Sequence, residues 1–141
     1  MSLKDYLIHN NYIHHWSEIY QTYQPAVTLE GVGNICSHNE MANSPHEAIT
    51  YKGNNHIIEY NLIHDVCLLS DDAGAIYSGR SWVWYGNIVR YNCIYNVGSE
   101  NHRPDGIYLD DAVSGHQIYG NLLINIPSNS IHVGGGRDNV I

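Results

Sequence analysis

The sequence predicts an all-β fold: a right-handed parallel β-helix of about five coils, with residues 1–141 forming a single solenoid domain. Three observations predict it. An Asn-centred motif recurs at intervals typical of a solenoid coil, and a second, strand-like motif recurs in step with it. Apolar and polar residues alternate at period two, and long runs of strong helix formers are missing.

The first motif appears as HNNYIHHW, SHNEMANS, EYNLIHDV, RYNCIYNV and YGNLLINI, anchored at Asn11, Asn39, Asn61, Asn92 and Asn121. The anchors are 28, 22, 31 and 29 residues apart. Ile8, Cys36, Ile58, Val89 and Ile118 lie three residues before them, and Ile13, Met41, Ile63, Ile94 and Leu123 two residues after. Four coils carry a further apolar residue five after the anchor: Trp16, Val66, Val97 and Ile126. The second motif, AVTLEG, AITYKG, AIYSGR, GIYLDD and SIHVGG, aligns Val27, Ile49, Ile76, Ile107 and Ile131. Two residues on it aligns Leu29, Tyr51, Ser78, Leu109 and Val133, so both columns face inward. Thr28, Thr50, Tyr77, Tyr108 and His132 then line the outer face, followed by Glu30, Lys52, Gly79, Asp110 and Gly134. This pattern predicts two short strands per coil, stacked about 4.8 Å apart around a shared core. The recurring asparagines form an internal ladder, each amide bonding to its counterpart one coil away.

Between the motifs, SEIYQTYQ (17–24) reads as a loop or short helix. SPHE (44–47), SENHRP (99–104) and the WVWYG stretch near Trp84 read as excursions from the solenoid. Met1-Ser2-Leu3 reads as a cloning remnant, and Asn139-Val140-Ile141 stops partway into another strand pattern. The chain is therefore expected to be a piece of a longer protein. Uncapped solenoid ends would offer surfaces for self-association.

The net charge of -8 argues against nucleic acid, because no stripe of Lys and Arg is available to neutralise phosphates. It also argues against an anionic membrane surface. Cys36, Cys67 and Cys93 match no metal-ligand spacing and read as buried free thiols. Histidines fall mostly at turn positions, where solvent exposure is the default; His132 extends the Tyr77–Tyr108 row instead.

Asp71, Asp72, Asp105, Asp110 and Asp111 are five of the fourteen acids and lie in two neighbouring coils. Glycoside hydrolysis needs such a pair: a protonated acid at the leaving oxygen, and a carboxylate acting as nucleophile or as base for water. Crowding also raises the pKa of one carboxyl, because like charges nearby disfavour ionisation of both. The plain alternative is that the Asp-Asp pairs form turns or bind calcium. Two registers are open. Aligned on the strands, Asp72 lies four residues before Ile76 and Asp111 four after Ile107. Fully extended, that offset is ~25 Å at roughly 3.3 Å per residue, and only a turn in SDDAG would close it. Aligned as LSDDAG on YLDDAV, the pairs stack directly and SGRSWVWYG becomes an insertion. The candidate catalytic residues are Asp72, Asp110 and Asp111. Tyr77, Tyr108, Trp82 and His132 are candidates for the apolar faces and hydroxyls of a sugar, and Arg80 for a carboxylate.

DDAGAIYSGR, GNIVRYN, GIYLDD, IYGNLLINI and GGGRDN in succession resemble the β-helical glycoside hydrolases of family 141, whose members include α-L-fucosidases and xylanases. The resemblance runs from about Asn61 to the end. It implies the pectin-lyase-like form of the fold, an oligo- or polysaccharide partner, and a secreted or periplasmic protein. It also implies two catalytic aspartates about one coil apart, which fall on Asp72 and on Asp110 or Asp111. Members of that family are much longer, so activity of this piece alone is an open question. The hydrolase reading requires no cofactor. Polysaccharide lyases share the fold; there Lys52 or Arg80 would abstract a proton and the aspartates would bind calcium. A non-catalytic carbohydrate-binding or adhesin β-helix is the third reading.

Overall fold

Each Asn-centred motif turns a corner at its asparagine. In the computed structural model, which describes residues 6–141, the residue before each anchor (Asn10, His38, Tyr60, Tyr91 and Gly120) has a φ between 54° and 66°. That left-handed step sends the chain from one sheet to the next, so the two halves of the motif belong to different sheets. Each coil therefore has three strands rather than the expected two. Met1-Ser2-Leu3 lies outside the described residues.

The first coil contains β1 (Leu7–His9), β2 (Tyr12–His14) and β3 (Val27–Val32), and the second β4 (Ile35–Ser37), β5 (Glu40–Ala42) and β6 (Ile49–Asn54). The third contains β7 (Ile57–Glu59), β8 (Leu62–Val66) and β9 (Gly74–Ser78). The fourth contains β10 (Ile88–Arg90), β11 (Cys93–Val97) and β12 (Asp105–Leu109). The fifth contains β13 (Gln117–Tyr119), β14 (Leu122–Ile124) and β15 (Ile131–Val133). Corresponding strands pair in parallel into three five-stranded sheets: β1-β4-β7-β10-β13, β2-β5-β8-β11-β14 and β3-β6-β9-β12-β15. No helix occurs among the described residues.

The register is the one the apolar columns predict. Ile8, Cys36, Ile58, Val89 and Ile118 pair in the first sheet, and Ile13, Met41, Ile63, Ile94 and Leu123 in the second. Val27, Ile49, Ile76, Ile107 and Ile131 pair in the third. Most of these side chains are wholly buried. Each buried aliphatic side chain contributes about 1.5–3 kcal/mol, so stacking supplies the core that no single coil has.

The asparagine ladder runs between the first two sheets. The Nδ2 of Asn11 donates to the Oδ1 of Asn39 at 2.9 Å, and Asn39 to Asn61, Asn61 to Asn92 and Asn92 to Asn121 at 3.0 Å. The same four oxygens accept the backbone N–H of the preceding anchor at 3.0 Å. A left-handed residue other than glycine costs about 1–2 kcal/mol. The bonds at each corner offset that cost.

A second ladder at the corner between the third and first sheets corrects the expectation of exposed histidines. The His56 Nδ1 accepts from the Asn34 N–H at 3.1 Å, and the His56 N–H donates to the Asn87 Oδ1 at 2.9 Å. The Asn87 Nδ2 donates to the His116 Nε2 at 3.1 Å, and the His116 N–H to the Asn139 Oδ1 at 3.0 Å. His56 and His116 are fully buried, and His46 nearly so. Burial lowers the pKa of all three, that of His116 to about 4.

Two further expectations change. SPHE is not an excursion: Ser44, His46 and Glu47 are buried, pinned by Ser44 Oγ to the Trp16 carbonyl (3.0 Å) and by Trp16 Nε1 to the Glu47 carbonyl (3.1 Å). Cys36 and Cys67 are buried free thiols, but Cys93 is half-buried, because it pairs with Leu62 and Leu122 in an outward-facing column of the second sheet.

Candidate functional site

The outer face of the third sheet carries the acids. Two glycines make room for it. A Cβ on Gly79 would stand 2.5 Å from the Asp110 Cβ and 2.8 Å from the Tyr77 hydroxyl, and one on Gly74 2.7 Å from the Tyr108 Cβ. Without side chains there, Tyr77 and Tyr108 lie down over the sheet, their rings 5.4 Å apart and edge to face.

Asp110 is the anchor. It is only 3% exposed, and four donors surround it. Its Oδ2 accepts from the Tyr77 hydroxyl at 2.7 Å and the Arg80 Nε at 2.6 Å. Its Oδ1 accepts from the Asp111 N–H at 2.7 Å and the Tyr108 hydroxyl at 3.1 Å. Burial pushes its pKa up, but those bonds outweigh burial and hold it at about 2. The same carboxylate adds to the effect of burial on the tyrosines, raising Tyr77 and bringing Tyr108 to about 12. Asp110 thus fixes two phenols and a guanidinium, with its lone pairs already engaged.

The strand alignment of the two acidic pairs holds: Tyr77 pairs with Tyr108 and Ser78 with Leu109. Asp71-Asp72 therefore precede β9, Asp110-Asp111 follow β12, and the alignment of LSDDAG on YLDDAV is overturned. The turn that the strand register requires is present. The Leu68 and Leu69 N–H groups donate to the Ser44 and Pro45 carbonyls at 3.2 and 3.1 Å, and the Ala73 N–H to the Asp71 carbonyl at 2.9 Å. Asp71 ties the turn to the next coil, accepting from the Arg103 N–H and from His102 Nδ1, both at 2.8 Å. The Arg103 amide first, then His102, holds the Asp71 pKa below its ordinary value.

Held this way, Asp72 reaches a cleft of about 260 Å³ lined by Tyr23, Glu47, Asp72, Tyr77, Gly79 and Arg80. Its charge acts on Glu47 and on Tyr108. Glu47 is the residue that sequence reasoning missed. It stands two residues before Ile49, the register that Asp105 occupies before Ile107, and aligning that column would have found it. It is 4% exposed, and its Oε2 accepts from the Thr50 hydroxyl at 2.7 Å. Burial, aided by the Asp72 charge, pushes its pKa up to about 7 against the Thr50 bond. His46 Nδ1, 3.8 Å from Glu47 Oε2, is buried without a hydrogen-bond partner, so no cation offsets the burial from that side. A larger hollow of about 510 Å³ between Tyr6 and Asn34 has Glu30 as the only acid among its described lining residues, and that residue pairs with Lys52 at 3.3 Å.

The other sequence candidates distribute plainly. Arg80 lines the cleft, as does Tyr77. Tyr108 and His132 continue the row, their rings 4.4 Å apart and 1° from parallel. Asp111 is exposed and contributes its amide to Asp110. Trp82 is 68% exposed on the β9–β10 loop and is not among the cleft-lining residues. Lys52 is exposed, bound to Glu30 outside the cleft. The 17–24 segment is a loop without helix, and its Tyr23 forms a wall of the cleft.

Fold and site together define the chain as a parallel β-helix with a cleft, lined by Glu47 and Asp72, on the outer face of its third sheet. Comparison with protein-family models, with curated proteins and with solved structures finds no match.

Proposed function

We propose that the cleft hydrolyses a glycosidic bond, with Glu47 as general acid and Asp72 as nucleophile or base. The observation that carries this reading is a buried glutamate, whose proton affinity burial raises, and an exposed aspartate lining one cleft. Glu47 keeps its proton near neutral pH and can pass it to the leaving oxygen. Asp72, exposed at the end of a pinned turn, is free to attack the anomeric carbon or to take a proton from water on the opposite face. Tyr23 and Tyr77 offer rings for the apolar face of a sugar, and Arg80 offers donors for its oxygens. In this scheme Asp110 binds no substrate directly but keeps Tyr77, Tyr108 and Arg80 in place. This shifts the second carboxylate from the aspartates of the YLDD motif to Glu47. The motif resemblance to family 141 supports the same chemistry, and with it a secreted or periplasmic protein.

The test is hydrolysis of xylo-, fuco- and galacturono-oligosaccharides, whose leaving groups require a proton, by the wild type, Glu47→Gln and Asp72→Asn. Loss of about 10²-fold or more in kcat in each variant, with the fold intact by circular dichroism, supports the assignment. Undiminished turnover in either variant rejects it, and a new ultraviolet-absorbing double bond in the product identifies a lyase instead. The anomer first released distinguishes retention, expected for carboxyls about 5–5.5 Å apart, from inversion at about 6.5–9.5 Å.

A further inference from the structure

His132 continues the row of Tyr77 and Tyr108 but uses only half of its bonding capacity. Its Nδ1–H donates to the Asp105 Oδ2 at 2.7 Å. The other Asp105 oxygen accepts from Asn129, from the backbone N–H at 2.8 Å and from Nδ2 at 2.9 Å. Asp105 is 6% exposed, and a carboxylate held by these donors fixes the proton of His132 on Nδ1. The ring is fixed as well, lying flat against Tyr108. Its Nε2 meets no partner among the described residues, and the side chain is 38% exposed. The structural histidines of this chain behave differently: His56 and His116 engage both ring nitrogens and are fully buried. A ring held in one tautomer and one plane, with a single open acceptor, is built to receive a donor.

We propose that His132 Nε2 accepts a hydroxyl of a second sugar unit, so that the substrate is an oligosaccharide running from the cleft across the third sheet toward the last coils. This rests on the glycosidase reading. Tyr77 and His132 are two coil steps apart, about 10 Å along the solenoid, so one sugar unit does not reach both. Tyr108 lies between them and stands in the field of Asp72 as well as Asp105 and Asp110, joining the two ends of the row. Asp105 acts through His132 as a positioning residue.

The experiment compares wild type, His132→Ala and Asp105→Asn on an aryl monoglycoside and on the matching di-, tri- and tetrasaccharides. In His132→Ala the ratio of kcat/KM for the trisaccharide to that for the monoglycoside falls about fivefold to tenfold, the worth of one hydrogen bond. The loss is in KM, and Asp105→Asn shows a smaller loss of the same kind. Long-range proton–nitrogen spectra of the wild type show the His132 proton on Nδ1 and an Nε2 resonance that moves when the oligosaccharides are added. An unchanged ratio in His132→Ala, or an Nε2 resonance that no oligosaccharide moves, overturns the proposal. Wild-type hydrolysis by Glu47→Gln together with a moving Nε2 resonance rejects Glu47 as the general acid and leaves the sugar-binding position standing.

Discussion

Replacing Glu47 with glutamine should stabilise this protein while removing its proposed acid. The carboxyl sits in a buried corner, and its pKa rises from 4.5 in the ordinary state to about 7 in the fold. A group whose folded pKa lies above its unfolded value contributes fully below the unfolded pKa and loses that contribution as pH rises through the folded one. Between pH 4.5 and 7, the Glu47 contribution to wild-type stability therefore falls by about 3 kcal/mol, at roughly 1.4 kcal/mol for each pH unit between the two pKa values. Glutamine fills the same volume and still accepts from the Thr50 hydroxyl, but never ionises. The variant should match the wild type near pH 4 and exceed it near pH 8 by about 3 kcal/mol, or roughly 10 °C in Tm for a chain of this size. Thermal melts of both proteins from pH 4 to 8.5 measure the difference, and every other titrating group is common to the two. A gap that does not vary with pH would refute the buried, protonated state and with it the general-acid role.

Three other outcomes are expected. Asn61→Ala removes a wholly internal rung, leaving the Asn39 amides, the Cys36 carbonyl and the Asn92 Oδ1 short of partners. It should cost on the order of 3–5 kcal/mol in urea unfolding, whereas Asn121→Ala at the half-buried end should cost less. His116 has a folded pKa of about 4 against 6.5, a depressed value, so its contribution is complete above pH 6.5 and lost as pH falls toward 4. In a Glu47→Gln background, which removes the opposing slope, His116→Asn should flatten a loss of about 3 kcal/mol over that window, read from melts. Asp110→Asn leaves Arg80 without its carboxylate and should cost about 2 kcal/mol, together with weaker binding of any oligosaccharide the wild type binds by calorimetry.

The apolar columns were legible because one residue type serves one purpose at one spacing: Ile49, Ile76 and Ile107 must face inward in every coil. The asparagine anchors were legible for the same reason. His56 and His116 were not, because they share their ladder with Asn34, Asn87 and Asn139, and a mixed column hides in sequence. The third strand of each coil was hidden by the corner at the anchor, where a left-handed residue redirects the chain without interrupting the alternation. At the site, the row Tyr77–Tyr108–His132 followed from register alone. Glu47 did not. Its protonation comes from burial, and that burial is built by distant chain: the Trp16 indole, 31 residues away, and the Leu68–Leu69 turn that closes over Ser44 and Pro45. Nor does sequence tell which of two neighbouring aspartates caps a loop and which faces a cleft, since the His102 and Arg103 contacts decide that for Asp71 and Asp72.

General acid catalysis by Glu47 is tested most directly by the dependence of turnover on the leaving group. A dinitrophenyl glycoside departs without a proton, whereas a sugar or simple alkyl glycoside requires one. For Glu47→Gln, kcat/KM should stay close to wild type on the dinitrophenyl substrate and fall about 10²–10⁴-fold on the sugar glycoside. Equal losses on both substrates, or no loss on the sugar glycoside, would contradict the assignment.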